Sequence, residues 1–187
     1  LSIVKKQRPD IKIYVYGSDA DLFLDFEVEN LGLIHDLTSL NDLYNCCKVG
    51  LCISMTNPSR IPFELMAAGT VPVDVYRYNN LLDYPDSTLK LAYQSPDSIA
   101  EAIIKLFEDE KEYSLRKEKS IEFAISRTLE WEMDVFVNSA LSLMNNKTIE
   151  SSLVQSEFSD PAFISEKDKS EHTDAFCDWQ KKLAANK

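Results

Sequence analysis

The stretch NPSRIPFELMAAGTVPVDVYR, from Asn57 to Arg77, decides the fold class of this chain. A proline-containing loop leads into a short apolar helix predicted over Pro62 to Ala68. Proline suits the first turn of a helix, where its missing N–H is not needed, and Gly69 suits the end. An apolar strand, Val71 to Val75, follows at once. A helix, a glycine stop and an apolar strand in this order are typical of one step in a parallel α/β sheet.

Similar steps lie on both sides of this stretch. The predicted strands are Ile11–Tyr16, Leu31–Ile34, Val49–Ser54 and Leu89–Tyr93. Helices are predicted to end at Gln7, to span Ser39–Cys47, to begin after a Ser95 cap, and to span Lys111–Ile125 and Leu129–Met144. Val49–Ser54 (VGLCIS) shows no alternation, which predicts a strand covered on both faces. The pattern predicts a Rossmann-like, doubly wound parallel sheet with helices on both faces, in one domain over residues 1–148.

The last part of the chain follows a different pattern. From about Ile149 the sequence is polar and mostly aperiodic, with scattered aromatic residues. Residues 149–187 are therefore predicted to be a linker or a helical or disordered tail, with one candidate helix over residues 173–185.

Composition excludes several classes of protein. The chain has 187 residues and a formal net charge of -11, with a pI near 4.6. A general nucleic-acid binder normally carries a basic face, so that class is disfavoured. No basic leader and no long apolar run is present, and Cys46, Cys47, Cys52 and Cys177 lack metal-ligand spacing. Free thiols and a cytoplasmic location are therefore expected.

A base and an acid stand together at the start of the Pro62–Ala68 helix. In an open parallel sheet, ligands bind beyond the carboxyl ends of the strands, which is where this loop lies. The unpaired N–H groups of a helix start and the guanidinium of Arg60 both suit phosphate oxygens. Glu64 has a local explanation, because an acid in the first turn complements the helix dipole. A bound diphosphate with its ribose would account for both residues, because a carboxylate accepts hydrogen bonds from ribose hydroxyls.

RIPFELMAAGTVPVDVYR resembles the motif of the C-terminal nucleotide-binding domain of GT-B-fold glycosyltransferases, the retaining ones especially. IKIYVYGS is similar to the family's strand ending in Gly, and LGLIHDLTSLNDLYNCCKVGLCIS to its strand, base-binding turn, helix and next strand. RTLEWEMDVF is similar to the closing helix, so the resemblance covers about Leu1 to Met144. VYRYNNLLDYP resembles bacterial transferases of rhamnan and O-antigen type.

The resemblance implies the donor-binding half of a glycosyltransferase of hexosyl or rhamnosyl type. It would move a sugar from a nucleotide-diphosphate donor, dTDP- or UDP-linked, to a glycan or lipid-linked acceptor held by another domain. Neither a metal nor another cofactor would be needed, and the full enzyme would work in the cytoplasm, with the inner face of the membrane as a candidate location. Glu64 would hold the ribose, and Arg60 with nearby backbone amides the diphosphate. The residues implied or indicated for donor binding are Gly17, His35, Leu37, Thr56, Asn57, Ser59, Arg60, Ile61, Pro62, Phe63, Glu64 and Arg77, and no catalytic residue is assigned.

Three departures from the family pattern leave alternatives open. Thr56 stands where the retaining enzymes often carry a first Glu, and His35 stands where a Gly is common. The basic residues that the family places on an upstream strand and helix are not in the sequence, so a fragment is expected. A sugar-nucleotide epimerase using His35 or Asp36 and a non-catalytic interaction domain are the alternatives. A dehydrogenase is disfavoured, because no Gly-x-Gly-x-x-Gly follows the first strand.

Overall fold

The computed structural model describes residues 1–20, 23–54, 59–145 and 147. The helices are α1 (Ser2–Gln7), α2 (Leu37–Cys46), α3 (Ile61–Ala67), α4 (Tyr78–Asp83), α5 (Pro96–Glu108), α6 (Glu110–Ser126) and α7 (Leu129–Met144). The strands are β1 (Tyr14–Val15), β2 (Glu29–Asn30), β3 (Val49–Leu51), β4 (Val71–Val75) and β5 (Lys90–Ala92). Helices and strands alternate from β2 to α5, whereas β1 is followed directly by β2 and the last three elements are helices.

All strand pairs in the described residues are parallel, which confirms the predicted α/β class. The strands form two groups, β1 with β2 and β3 with β4 and β5 in that order. The predicted sheet is therefore divided, because β1 and β3 do not pair with each other.

The core lies on both faces of the strands, as expected for a doubly wound sheet. On one face α1 and α5 cover β3 and β4, with Val4, Val73 and Ile103 among the buried residues. On the other face Met66 of α3 packs in a cluster with Leu91 of β5 and residues of α6. All five residues of β4 are buried, because this strand has a neighbour on each side and helices on each face.

Two elements differ from the sequence-based prediction. The second strand is Glu29–Asn30, whereas Leu31–Ile34 is not a strand. Gly32 has φ +64°, a left-handed conformation that interrupts an extended chain, and its N–H is bonded to Asn30 Oδ1 at 3.1 Å. Helix α4 was not predicted, since its six residues are too few to show a clear helical period.

The other predicted elements are present, but β1 and β3 are clearly shorter than the strands predicted over Ile11–Tyr16 and Val49–Ser54. Asp36 caps α2 by accepting a hydrogen bond from the Ser39 N–H at 2.8 Å, so this helix begins earlier than predicted. Ser95 caps α5, as predicted. Residues 149–187, with the helix predicted over 173–185 and Cys177, lie outside the described residues. Cys46, Cys47 and Cys52 are free thiols.

Helix α7 matches its predicted bounds and is capped by Thr128. The large apolar residues Met133 and Phe136 of this helix are exposed. Within the described residues, no helix combines the length and apolar character that a membrane span requires.

Candidate functional site

The site is built where the chain passes from β3 through a loop into α3. Thr56 and Asn57 of this loop lie outside the described residues, and the chain is described again from Ser59. Ser59 Oγ accepts a hydrogen bond from the Ile61 N–H at 3.3 Å, and the Glu64 N–H is bonded to the Arg60 carbonyl at 3.1 Å. Pro62 has no N–H. Of the backbone N–H groups of residues 61–64, that of Phe63 has no hydrogen-bond acceptor among the described residues.

Arg60 and Glu64 are both exposed at the start of α3, one helical turn apart. The Arg60 side chain is 67% exposed, and its Nη1 donates a hydrogen bond to Glu132 Oε2 at 3.1 Å. Glu132 belongs to α7, so the helix that closes the described fold reaches the predicted phosphate ligand. An exposed ion pair of this kind contributes at most about 1 kcal/mol, so an anionic ligand could compete for Arg60.

Glu64 lies near a pair of tyrosines. The hydroxyl groups of Tyr16, which follows β1, and Tyr44, on α2, are 2.7 Å apart. Burial, the contact with Tyr16 and the negative charge of Glu64 together raise the pKa of Tyr44 well above its ordinary value. Burial, followed by the charges of Asp74 and Glu64, likewise raises the pKa of the Cys52 thiol. The charge of Glu64 therefore acts on the Tyr44 hydroxyl and the Cys52 thiol, both of which stay neutral.

Aromatic side chains hold the start of α3 from the other side. The Phe63 ring lies 5.0 Å from the Tyr84 ring and 5.8 Å from the Phe123 ring, measured between centroids. The guanidinium of Arg127 lies 4.7 Å from the centroid of the Trp131 ring, a favourable cation–π contact. The Tyr84 hydroxyl donates to the Ser59 carbonyl at 3.1 Å. These contacts fix the backbone that presents Arg60 and Glu64.

Side chains from β4 and α4 hold the beginning of the same loop. Asp74 is fully buried, and its Oδ1 accepts a hydrogen bond from the Ser54 N–H at 2.8 Å. Asn79 Nδ2 donates to the Ser54 carbonyl at 3.3 Å, so both backbone groups of Ser54 are bound by side chains. Sequence reasoning missed Asp74, Asn79, Tyr84 and Glu132 as supports of the site. The signal available for Asp74 was a charged residue within the apolar strand VPVDV.

The remaining predicted residues lie at different places on this edge. Gly17 follows β1 with φ +101°, which favours glycine, and a Cβ there would meet no atom within 4 Å. His35 and Leu37 are exposed on either side of Asp36, and the Leu37 side chain is 84% exposed. Arg77 caps the start of α4, and its Nη2 donates to Gln94 Oε1, beyond β5. The structure thus groups Arg60 and Glu64 at the start of α3. Arg77 is instead bonded to Gln94, which follows β5, on the side of β4 away from β3.

Comparison with known proteins assigns this arrangement to a family. The family model for the C-terminal domain of WsaF matches residues 2–104, more than half of the chain. The chain belongs to the WsaF C-terminal domain family. The matched range contains every predicted site residue, from Gly17 to Arg77.

Solved structures show the same fold at low sequence identity. One is Anabaena Alr3699/HepE in complex with UDP, 18% identical, with a TM-score of 0.52 over 62% of this chain and 32% of that chain. Another is the pneumococcal O-GlcNAc transferase GtfA in complex with UDP and GlcNAc, 15% identical, with a TM-score of 0.56 over 76% of this chain and 31% of that chain. None of the curated proteins is similar enough to count as a match.

These comparisons confirm the expected fold and family. The chain has the Rossmann-like fold of the C-terminal half of GT-B glycosyltransferases, and it spans about one third of the length of both solved structures.

Proposed function

We propose that this WsaF C-terminal domain binds the nucleotide diphosphate of a sugar donor and is the donor half of a glycosyltransferase. The observation that carries the proposal is the pairing of Arg60 and Glu64 at the start of α3, within the range that matches the family. The two solved structures of the same fold are complexes with UDP, which supports a nucleotide as the ligand class.

The diphosphate and the ribose of the donor each have a side chain that suits them. The guanidinium of Arg60 is exposed and forms a planar fork that fits phosphate oxygens, and the Phe63 amide adds a backbone donor. The carboxylate of Glu64 can accept hydrogen bonds from the two ribose hydroxyls. Gly17 lets the backbone approach the donor closely, and the turn at His35 and Leu37 lies at the edge where the base is expected.

Catalysis in this proposal consists of positioning the donor and stabilising the leaving diphosphate. The guanidinium of Arg60 and the backbone amide of Phe63 would neutralise the diphosphate without a metal ion. The acceptor, a glycan or a lipid-linked saccharide, would be bound by a part of the enzyme outside this domain. The donor is proposed to be dTDP- or UDP-linked and the transferred sugar a rhamnose or another hexose. A cytoplasmic enzyme at the inner face of the membrane is the corresponding proposal for location.

Calorimetric titration of the chain with UDP, dTDP, GDP and ADP, each with and without Mg²⁺, tests the proposal. Saturable binding of UDP or dTDP, unchanged by Mg²⁺, is expected. Glu64→Ala should weaken binding by roughly tenfold to a hundredfold, because a hydrogen bond to a charged group contributes about 1.5–3 kcal/mol. Arg60→Ala should weaken the binding of nucleoside diphosphates more than the binding of the corresponding nucleosides.

Matched controls separate a site effect from a general charge effect. Glu101→Ala removes an exposed carboxylate from α5 and should leave nucleotide binding unchanged. A Glu64→Ala protein that binds UDP as tightly as the parent would refute the role of this residue. Absence of binding by any nucleotide would favour a non-catalytic interaction domain. Turnover of a sugar nucleotide without an acceptor would favour an epimerase.

A further inference from the structure

The carboxylate of Glu132 lies between two guanidinium groups. Its Oε2 accepts a hydrogen bond from Arg60 Nη1 at 3.1 Å, and its Oε1 lies 3.8 Å from Arg127 Nη2. Arg60 precedes α3, Arg127 lies between α6 and α7, and Glu132 is in the first turn of α7. Two separate parts of the chain therefore bring a positive charge to the same carboxylate, each beside a different oxygen atom.

Aromatic rings hold the guanidinium of Arg127 in place. The ring centroids of Trp131, Phe123 and Phe63 lie 4.7, 5.5 and 5.9 Å from it. Its Nε is buried and has no hydrogen-bond acceptor among the described residues, and the 3.8 Å from Nη2 to Glu132 is too long for a hydrogen bond. Ring contacts orient a guanidinium without using its terminal N–H groups. Arg127 is therefore an oriented cation whose terminal donors are not used by the described residues.

The position of Glu132 in its helix does not by itself explain this contact. An acid in the first turn of a helix complements the helix dipole, and α7 has two such residues, Glu130 and Glu132. Glu130 is exposed and forms no ion pair with the described residues, whereas Glu132 is half-buried beside two arginines. The helix dipole accounts for an acid at either position, but not for the placement of one of them between two cations.

Asp83, at the end of α4, is the other acidic residue near this group. Burial raises the pKa of the Asp83 carboxyl, and the charges of Arg127 and Glu132 act on that pKa in opposite directions. Its Oδ2 is buried without a hydrogen-bond partner among the described residues. Asp83 therefore moderates the positive charge around Arg127 without occupying the terminal N–H groups of that residue.

A phosphate group suits the place between the two arginines better than a carboxylate does. A terminal phosphate carries a charge of about −1.5 to −2 at pH 7 and three acceptor oxygens, and the guanidinium fork matches their spacing. The side chains of Arg60, Glu132 and Arg127 are 67%, 26% and 22% exposed, so a ligand can enter from the side of Arg60. A phosphate could accept hydrogen bonds from both guanidinium groups, whereas Glu132 accepts one from Arg60 alone.

We propose that Arg60 and Arg127 form a subsite for a phosphate group of the donor, and that the carboxylate of Glu132 occupies this subsite until the phosphate displaces it. The inference rests on the proposed nucleotide binding and adds to it a second arginine and an internal competitor. Glu132 lowers the affinity for the diphosphate in two ways. Its ion pair with Arg60 must break before the ligand binds, and its charge then repels the bound phosphate.

Calorimetry with UDP and NMR titration with uridine test the role of Glu132. Glu132→Gln should tighten UDP binding by roughly fivefold, because an exposed ion pair contributes about that factor, and should leave uridine binding unchanged. Glu130→Gln is the matched control, since it removes the same charge from the same turn of α7. It should leave the binding of both ligands nearly unchanged.

Variants of the two arginines test the subsite itself. Arg127→Gln should weaken UDP binding by roughly tenfold, because charge-assisted hydrogen bonds to the phosphate are lost, and should leave uridine binding unchanged. A defect in the packing of Phe63 would instead weaken both ligands. In an Arg60→Ala background, Glu132→Gln should tighten UDP binding by less than it does in the parent, because the ion pair is already absent.

Inorganic pyrophosphate tests the subsite without a nucleoside. In proton–nitrogen NMR spectra of the chain, the Nε–H signals of Arg60 and Arg127 should shift together as pyrophosphate is added. The shifts should saturate at a lower pyrophosphate concentration in Glu132→Gln than in the parent, and sodium chloride at equal ionic strength should not reproduce them.

Several results would overturn the proposal while leaving the proposed function intact. UDP binding by Glu132→Gln that is no tighter than in the parent would mean that Glu132 does not compete with the ligand. Equal tightening by the Glu130 and Glu132 variants would indicate a general charge effect. Unchanged UDP binding by Arg127→Gln would exclude Arg127 from the subsite.

The pyrophosphate titration separates this inference from the proposed function. If no nucleotide binds, the proposed function fails, but saturable pyrophosphate shifts at both arginines, tighter in Glu132→Gln, would still support the phosphate subsite. If pyrophosphate shifts neither arginine in the parent or in Glu132→Gln, the subsite is refuted, whatever the nucleotides do.

Discussion

Asp74 offers the sharpest test of how the site is supported. The residue is fully buried in the middle of β4, and its Oδ1 accepts hydrogen bonds from the Ser54 N–H at 2.8 Å and the Val75 N–H at 2.7 Å. Its Oδ2 is buried without a hydrogen-bond partner. The carboxylate therefore stabilises the fold through one oxygen atom. A neutral side chain with a hydrogen-bond acceptor at the same place should stabilise it nearly as well.

Asp74→Ala removes the acceptor and leaves two buried N–H groups without it. Each unsatisfied buried donor costs about 1–3 kcal/mol, and loss of the unpaired Oδ2 offsets part of that cost. We expect the free energy of unfolding to fall by about 3 kcal/mol, and the melting temperature by roughly 6–12 °C. Asp74→Asn keeps Oδ1 and should cost less than about 1.5 kcal/mol.

Urea denaturation followed by circular dichroism measures the free energy of unfolding of both variants. The values can be compared when the m-value is the same as in the parent. Calorimetry with UDP then reports the site, since Asp74→Ala frees the beginning of the loop at Ser54 and should weaken nucleotide binding. Equal destabilisation by Asn and Ala would refute the reasoning, because the charge and not the acceptor would then matter. A stable Asp74→Ala protein would refute it as well.

Two further predictions concern the core and its charges. Burial alone would raise the pKa of Glu112, but hydrogen bonds from Lys90 and Arg116 outweigh it and hold that pKa below its ordinary value. Glu112→Gln should lower the free energy of unfolding by about 3 kcal/mol at neutral pH. This difference should shrink as the pH falls from the ordinary pKa of 4.5 to below the lowered pKa of the folded state, where the parent carboxylate is protonated. Gly50→Ala should lower the free energy of unfolding by about 1–3 kcal/mol, because the added Cβ would lie 2.5 Å from Leu65 Cδ1. Urea denaturation at several pH values checks the first prediction, and at neutral pH the second.

Each of these predictions has a matched control. Glu118→Gln changes an exposed carboxylate on the same helix α6 and should leave stability and its pH dependence nearly unchanged. A Glu112→Gln defect that persists at low pH would contradict the ion-pair explanation. Adding Leu65→Ala to Gly50→Ala should cost less than the sum of the two single changes, because the clash is then removed. If the free-energy changes of the two single substitutions simply added in the double variant, overpacking against Leu65 would not be the cause of the Gly50→Ala destabilisation.

Much of the fold could be predicted from local sequence. The Val71–Val75 strand and the Leu129–Met144 helix have the predicted bounds, since an unbroken apolar run and a capped helical period are strong local signals. The strand predicted over Leu31–Ile34 was wrong, because the conformation of Gly32 and its bond to Asn30 override the apolar composition. Helix α4 was missed because it is short.

The candidate site could be predicted only in part. Arg60 and Glu64 were identified from their spacing on one helix, and the structure groups them at one edge of the fold. Neither the ion pair of Arg60 with Glu132 nor the effect of the Glu64 charge on Tyr44 could be derived, because these partners lie far apart in the sequence. The predicted roles of the twelve donor-binding residues remain predictions.

The sequence by itself determined the order of helices and strands, the parallel α/β class and the loop that carries the base and the acid. Those features depend on the local period of apolar residues and on the backbone preferences of proline and glycine, which act over a few residues. Only the tertiary structure decided that β1 and β3 stand apart, and that Asp74 and Asn79 hold Ser54. Pairing of strand edges and satisfaction of buried polar groups depend on residues that meet only when the chain is folded.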